Sequence, residues 1–103
     1  MEPITVKAYI YHSVRLPGPF LARCSYELVA QGDTDVERGI ETVKESVESM
    51  IVTYLDFFLL RHRPLPRPED TFLMEGFQLE ERVERHYKGL PPLIFEYYRH
   101  LQN

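Results

Sequence analysis

The chain has 103 residues, of which 44% are hydrophobic, 13% aromatic and 27% charged, with a formal net charge of −4 at pH 7. That length gives room for one modest core, and the single cysteine, Cys24, excludes an internal disulfide framework and a cysteine-built zinc site. No apolar run reaches the ~18–20 residues of a membrane span, Met1, Glu2 and Pro3 do not lead into a signal peptide, and the acidic balance argues against a nucleic-acid surface covering the domain, so a cytoplasmic protein is expected.

From Ile4 to Val14 the chain alternates, with Ile4, Val6, Ala8, Ile10 and Val14 on one side and Thr5, Lys7, Tyr9, Tyr11 and Ser13 on the other. This period of two predicts a strand with one buried face. Leu16-Pro17-Gly18-Pro19 breaks it, and Phe20 to Ala30 alternates again, with Cys24 on the inward side beside Phe20, Ala22 and Tyr26. The pair predicts an antiparallel hairpin, and the second run is long enough to bend into two strands.

Gln31-Gly32-Asp33-Thr34 punctuates the chain. Thr34 and Glu37 have the spacing of a capping box, in which the threonine oxygen accepts a backbone N–H and the glutamate reaches back. Val36, Ile40, Val43, Val47, Met50 or Ile51, Tyr54 and Phe58 then recur at steps of four and three, which predicts a helix over about 35–61. Glu37, Glu41, Glu45 and Glu48 line its flank, and Leu55 and Leu59 fall on the same stripe. With Phe57 and Leu60 widening the apolar arc, the helix is apolar nearly all round from Tyr54 to Leu60. A helix end of that kind asks for cover from the C-terminal segment or from a second subunit.

Arg61-His62-Arg63 supplies cations to the negative end of the helix, and Pro64-Leu65-Pro66-Arg67-Pro68 ends it as a stiff extended connector. Thr71 to Leu79 has the alternation of a strand with Gly76 as a bulge, whereas Leu79, Val83 and Tyr87 fit both a helix and a strand. Leu93, Ile94, Tyr97, Tyr98 and Leu101 have the spacing of a short amphipathic helix after Pro91-Pro92.

The charge is concentrated. Residues 1–34 and residues 61–103 are each neutral, whereas residues 35–60 set two bases against six acids and carry the entire excess. His12, His62, His86 and His100 are scattered without metal-ligand spacing, Cys24 reads as a buried small hydrophobe, and no glycine-rich phosphate loop is present. No catalytic constellation, metal site or cofactor site is therefore predicted.

The order of Ala22 in the second strand, the turn Val29-Ala30-Gln31-Gly32-Asp33-Thr34, the long helix and the proline-alternating exit resembles the HicB family of antitoxins over about residues 4–70. The stretch Arg23-Cys24-Ser25-Tyr26-Glu27-Leu28 departs from the family's proline- and glycine-containing loop, and residues 71–103 do not resemble its DNA-binding domains. The resemblance thus implies the toxin-binding part alone, without direct nucleic-acid binding. It implies a small basic HicA-like ribonuclease as partner, met by Glu37, Glu41, Glu45 and Glu48. The alternative is a stand-alone structural homo-oligomer joined through Tyr54, Leu55, Phe57, Phe58, Leu59 and Leu60 with the C-terminal helix. The expected fold is a single α+β domain over 1–103, an antiparallel sheet of three or four strands with the long helix across one face and a short C-terminal extension.

Overall fold

A computed structural model describes residues 2–13, 18–69 and 73–101. Strands β1 (Ile4–His12), β2 (Phe20–Cys24) and β3 (Val29–Gln31) precede helix α1 (Val36–Leu60), and strands β4 (Phe77–Arg85) and β5 (Leu93–His100) follow it. The fold is α+β, with one five-stranded sheet in the order β3-β2-β1-β5-β4. The expectation of an antiparallel sheet of three or four strands is corrected on both counts. The described residues form five strands, and β5 runs parallel to β1, with Ile4 opposite Leu93 and Ile10 opposite Arg99. All other pairings are antiparallel.

The hairpin forms as its alternation predicts, with Ala8 opposite Cys24 and His12 opposite Phe20. The second run splits at a turn where Glu27 takes a left-handed φ of 64° and its N–H donates to the Cys24 carbonyl. Val14, Leu16 and Pro17 lie outside the described residues.

The first turn of α1 is held differently from the capping box. Asp35 is the N-cap, its carboxylate accepting the Glu37 N–H at 2.8 Å. Asp competes well with Thr for this position because its carboxylate also suits the positive end of the helix dipole. Two glycines set how near the helix can come. A Cβ on Gly39 would run into the Phe20 ring, and one on Gly32 would come within 2.6 Å of the Gly39 carbonyl oxygen. Both are therefore required by close approach between the β3–α1 turn, β2 and the helix. The helix buries Gly39, Val43, Val47, Ile51 and Leu55, a ridge with a strict step of four, against Ile4, Val6, Ala8, Ile10, Phe20 and Ala22. Val36, expected on this face, is exposed.

The expected C-terminal helix is a strand. β5 sits inside the sheet with Leu93, Ile94, Phe95 and Tyr97 buried. A strand covered on both faces does not alternate, so its apolar run also satisfies helical spacing. The ambiguous Leu79–Tyr87 stretch contributes β4, which is irregular between Leu79 and Glu81. Residues 71 and 72 of the expected Thr71–Leu79 strand lie outside the described residues, and Gly76 (φ 81°) forms the turn before β4 rather than a bulge.

The face of the sheet away from α1 also carries apolar mass. Tyr9, expected to face solvent, is completely buried, stacked on Tyr98 with ring centroids 4.7 Å apart and met edge-on by Phe77 at 5.3 Å. The aromatic trio gives the second face a small core of its own.

Candidate functional site

The four carboxylates of the helix flank do not behave as a set. Glu37, Glu41 and Glu45 are exposed, and among the described residues none of them is in an ion pair. Glu48, one turn on, turns inward. Its Oε1 accepts from Arg85 Nε at 2.8 Å and its Oε2 from the Tyr97 hydroxyl at 2.6 Å. Helical projection places Glu48 and Leu55 on one stripe, which Arg85 of β4 and Tyr97 of β5 meet at Glu48, while its first turns stay in water.

Glu48 is the centre of a polar seam between α1 and the last two strands. Lys44 donates to Glu81 at 2.9 Å and lies 3.5 Å from Glu80, which also meets Arg99 at 3.3 Å. The Lys44 ammonium stands 5.2 Å from the Tyr97 ring centroid. Burial, reinforced by the hydrogen bond to Glu48, pushes the Tyr97 pKa well up, and the same carboxylate raises that of Arg85. The seam fixes β4 beside the helix by charge where apolar packing is thin. Only part of this was visible in the sequence: Glu48 stood out as an acid, but its partners lie 37 and 49 residues away.

The six residues assigned to a subunit contact divide as well. Leu55 is fully buried in the chain's own core and is removed from any intermolecular surface. Tyr54 and Phe58 are half-buried, Tyr54 tilted against Tyr26 at 5.4 Å and Phe58 edge-on to Tyr54 at 5.2 Å. Phe57, Leu59 and Leu60 remain exposed, at 47%, 36% and 77%. The Arg61 guanidinium lies over the Phe57 ring at 3.7 Å and donates to the Phe57 carbonyl oxygen, and the β4–β5 turn approaches Leu59 at Gly89. The C-terminal segment thus supplies part of the cover that the helix end requires. The connector supplies more: the Tyr26 hydroxyl donates to the Pro66 carbonyl at 2.9 Å, and Glu69 N–H to that of Ser25 at 2.8 Å.

The remaining candidates for chemistry are dispersed. Cys24 is buried, and desolvation pushes its thiol up to about 12, which keeps it a protonated, inert side chain. Tyr26 is likewise pushed up to about 12 by burial. His12 contacts the Gly18 carbonyl oxygen at 2.9 Å, His86 pairs with Glu84 at 2.7 Å, and His100 meets Phe77 edge-on. Among the described residues no group of three or more His, Cys, Asp or Glu is placed to hold a metal ion. No helix among the described residues is long and apolar enough to cross a membrane.

One surface feature had no signal in the sequence reading. β4 closes one edge of the sheet with nine residues, nearly all exposed, and among the described residues no strand pairs with its outer side. No family model, curated protein or solved structure matches the chain.

Proposed function

We propose that the chain is a non-catalytic protein-binding domain of the HicB antitoxin type, which neutralises a small basic HicA-like ribonuclease by covering it. The observation that carries this reading is the row Glu37, Glu41 and Glu45. These carboxylates stand one helical turn apart, ~6 Å from one to the next, exposed and without ion pairs among the described residues. They belong to the segment that holds the whole net charge of −4. Such a row steers a basic partner towards the helix flank and sets the association rate more than the final affinity. The Gln31-Gly32-Asp33-Thr34 stretch, which leads from the end of β3 towards the long helix, supports the same reading.

The test is co-expression with a small basic ribonuclease toxin encoded next to this chain. The expected outcome is rescued growth and a complex that elutes as one species. A triple Glu37→Lys, Glu41→Lys, Glu45→Lys variant should then associate about tenfold more slowly, with a shallower salt dependence. A toxin that stays toxic, with no complex on sizing, removes the proposal.

One observation favours a second reading, a structural homo-oligomer. Phe57, Leu59 and Leu60 expose apolar surface together at the end of α1. If this patch joins subunits, Leu60→Lys disperses the assembly, while a wild-type chain that sediments as a monomer at high micromolar concentration rules it out.

A further inference from the structure

An open, nine-residue edge strand is a template for another strand, and proteins that stay apart usually block such edges with charge, proline or a bulge. β4 is charged, and its irregularity lies between Leu79 and Glu81. Beyond that point Glu81-Arg82-Val83-Glu84-Arg85 forms an uninterrupted ladder with β5 from Tyr97 to Leu93. The order of signs in these five residues decides between blocking and pairing.

Two copies that join their β4 edges as one continuous sheet must be related by a two-fold axis perpendicular to the sheet. Facing residues then share a face, and the axis passes through a residue position. Centred on Val83, the pairing sets Glu81 opposite the second copy's Arg85 and Arg82 opposite its Glu84, each twice by symmetry, with Val83 meeting its own copy. Both faces are complementary. Arg82 and Glu84 lie on the open side with Glu96 and Ile94, and Glu81 and Arg85 lie on the helix side with Tyr97 and Leu93. Shifting the centre to Arg82 or Glu84 puts that residue against itself. A centre at Glu81 or Arg85 does the same and, for Arg85, also sets Arg82 against Lys88. Opposed charges across a strand pair stabilise it and like charges do the reverse, so a single register is selected.

The partners already present within the chain extend this pattern. Arg82 meets Glu96 at 3.3 Å and would lie between two carboxylates, and Arg85 likewise between Glu48 and the second copy's Glu81. Arginine has donors for both, since its planar fork carries five N–H groups. The helix packs mainly on β3, β2 and β1 and meets β4 through the Lys44 and Glu48 side chains, which bond Glu81 and Arg85 from the helix side of the sheet.

We infer that the chain forms a two-fold homodimer by antiparallel β4–β4 pairing centred on Val83, giving a continuous ten-stranded sheet with both helices on one face. This contact is separate from the exposed end of α1 and does not depend on the toxin-binding reading. A five-residue ladder buries less than the ~1,200 Å² of a standard interface, so the dimer forms in the micromolar range.

Sedimentation of the full chain over a micromolar concentration series tests it, with thermal unfolding of every variant as a folding control. The wild type is expected to dimerise. Arg82→Glu sets glutamate against Glu84 twice and should weaken the dimer about tenfold or more. Arg82→Glu with Glu84→Arg restores the alternation and should restore the dimer. Under oxidation Val83→Cys should cross-link to itself, whereas Arg82→Cys and Glu84→Cys, which face a different residue, should not. A wild type that stays monomeric throughout overturns the inference. So does a dimer indifferent to Arg82→Glu but dispersed by Leu60→Lys, which would place the contact at the helix end. Cross-linking at 82 or 84 in place of 83 overturns the register.

Discussion

The two edges of the sheet are built on opposite plans. β3 is three residues long and lies at the turn into α1, where Gly32 and Gly39 let helix and strands approach to backbone distance. β4 is nine residues long, charged, and bound to the helix through Lys44 and Glu48 rather than through a packed apolar face. The first edge is short and joined to the helix by close steric contact, and the second is long and joined to it by charge. A region joined by close packing fails when volume changes. An edge held by ion pairs tolerates volume changes and responds to the sign of its charges.

The largest effect should fall where the strands and the helix pack closely. Phe20, buried in β2 and lying where a Gly39 Cβ would go, is expected to lose about 3–5 kcal/mol on replacement by alanine. Leu79, exposed at 46% on β4, is expected to stay within about 0.5 kcal/mol on the same change. Denaturant unfolding of the two variants gives the comparison directly, and equal losses would break it.

Gly39→Ala drives a methyl into the Phe20 ring and is expected to cost about 1–3 kcal/mol, read as a lowered denaturant midpoint. If the double variant Gly39→Ala, Phe20→Leu recovers part of that loss, the cause is contact with the ring and not with the Asp33 carbonyl, since alanine is the better helix former.

Alkaline pH separates the covered interior from β4 by another route. Cys24, Tyr26 and Tyr97 have pKa values raised in the fold by burial, and none of them is on β4. The unfolded chain loses these protons first, so the native state binds more of them and its stability falls as pH rises. The decline begins near the ordinary thiol value of 9.0, continues above the ordinary tyrosine value of 10.0, and extends to about 12. Unfolding midpoints across this range should fall steadily, and Cys24→Ala should flatten the first part of the decline. A midpoint independent of pH above 9.0 would contradict the burial of these groups.

The smallest effect on stability should come from the exposed acids. Glu41→Lys and Glu45→Lys are expected to change unfolding free energy by no more than about 0.5 kcal/mol. Glu48→Lys, by contrast, places a cation against Arg85 and leaves the buried Tyr97 hydroxyl without its carboxylate, and should destabilise clearly in the same assay.

How much of this was legible in the sequence follows the same division. The hairpin, the split second run, the long helix and its acidic flank could be read because each buries one face, and one-sided burial leaves a period of two or of 3.6. β5 carries helical spacing because both of its faces are covered, which removes the alternation. The N-cap moved from Thr34 to Asp35 because adjacent residues offer the same chemistry. Leu55 falls among the subunit-contact residues because helical projection shows a stripe and not what lies over it, and here the chain's own core covers it. Glu37, Glu41 and Glu45 were recovered as exposed acids, whereas the engagement of Glu48 depends on partners from β4 and β5. The self-complementarity of Glu81–Arg85 is written in the sequence, but it acquires meaning only once these residues lie on an open sheet edge.

Amide hydrogen exchange measured against protein concentration tests the contrast between the edges most directly. The outward-pointing amides within Glu81–Arg85 should become more protected as concentration rises through the micromolar range, while those of Val29–Gln31 stay unchanged. Exchange in β4 that does not depend on concentration, or protection that grows at Phe57–Leu60 instead, would contradict the account.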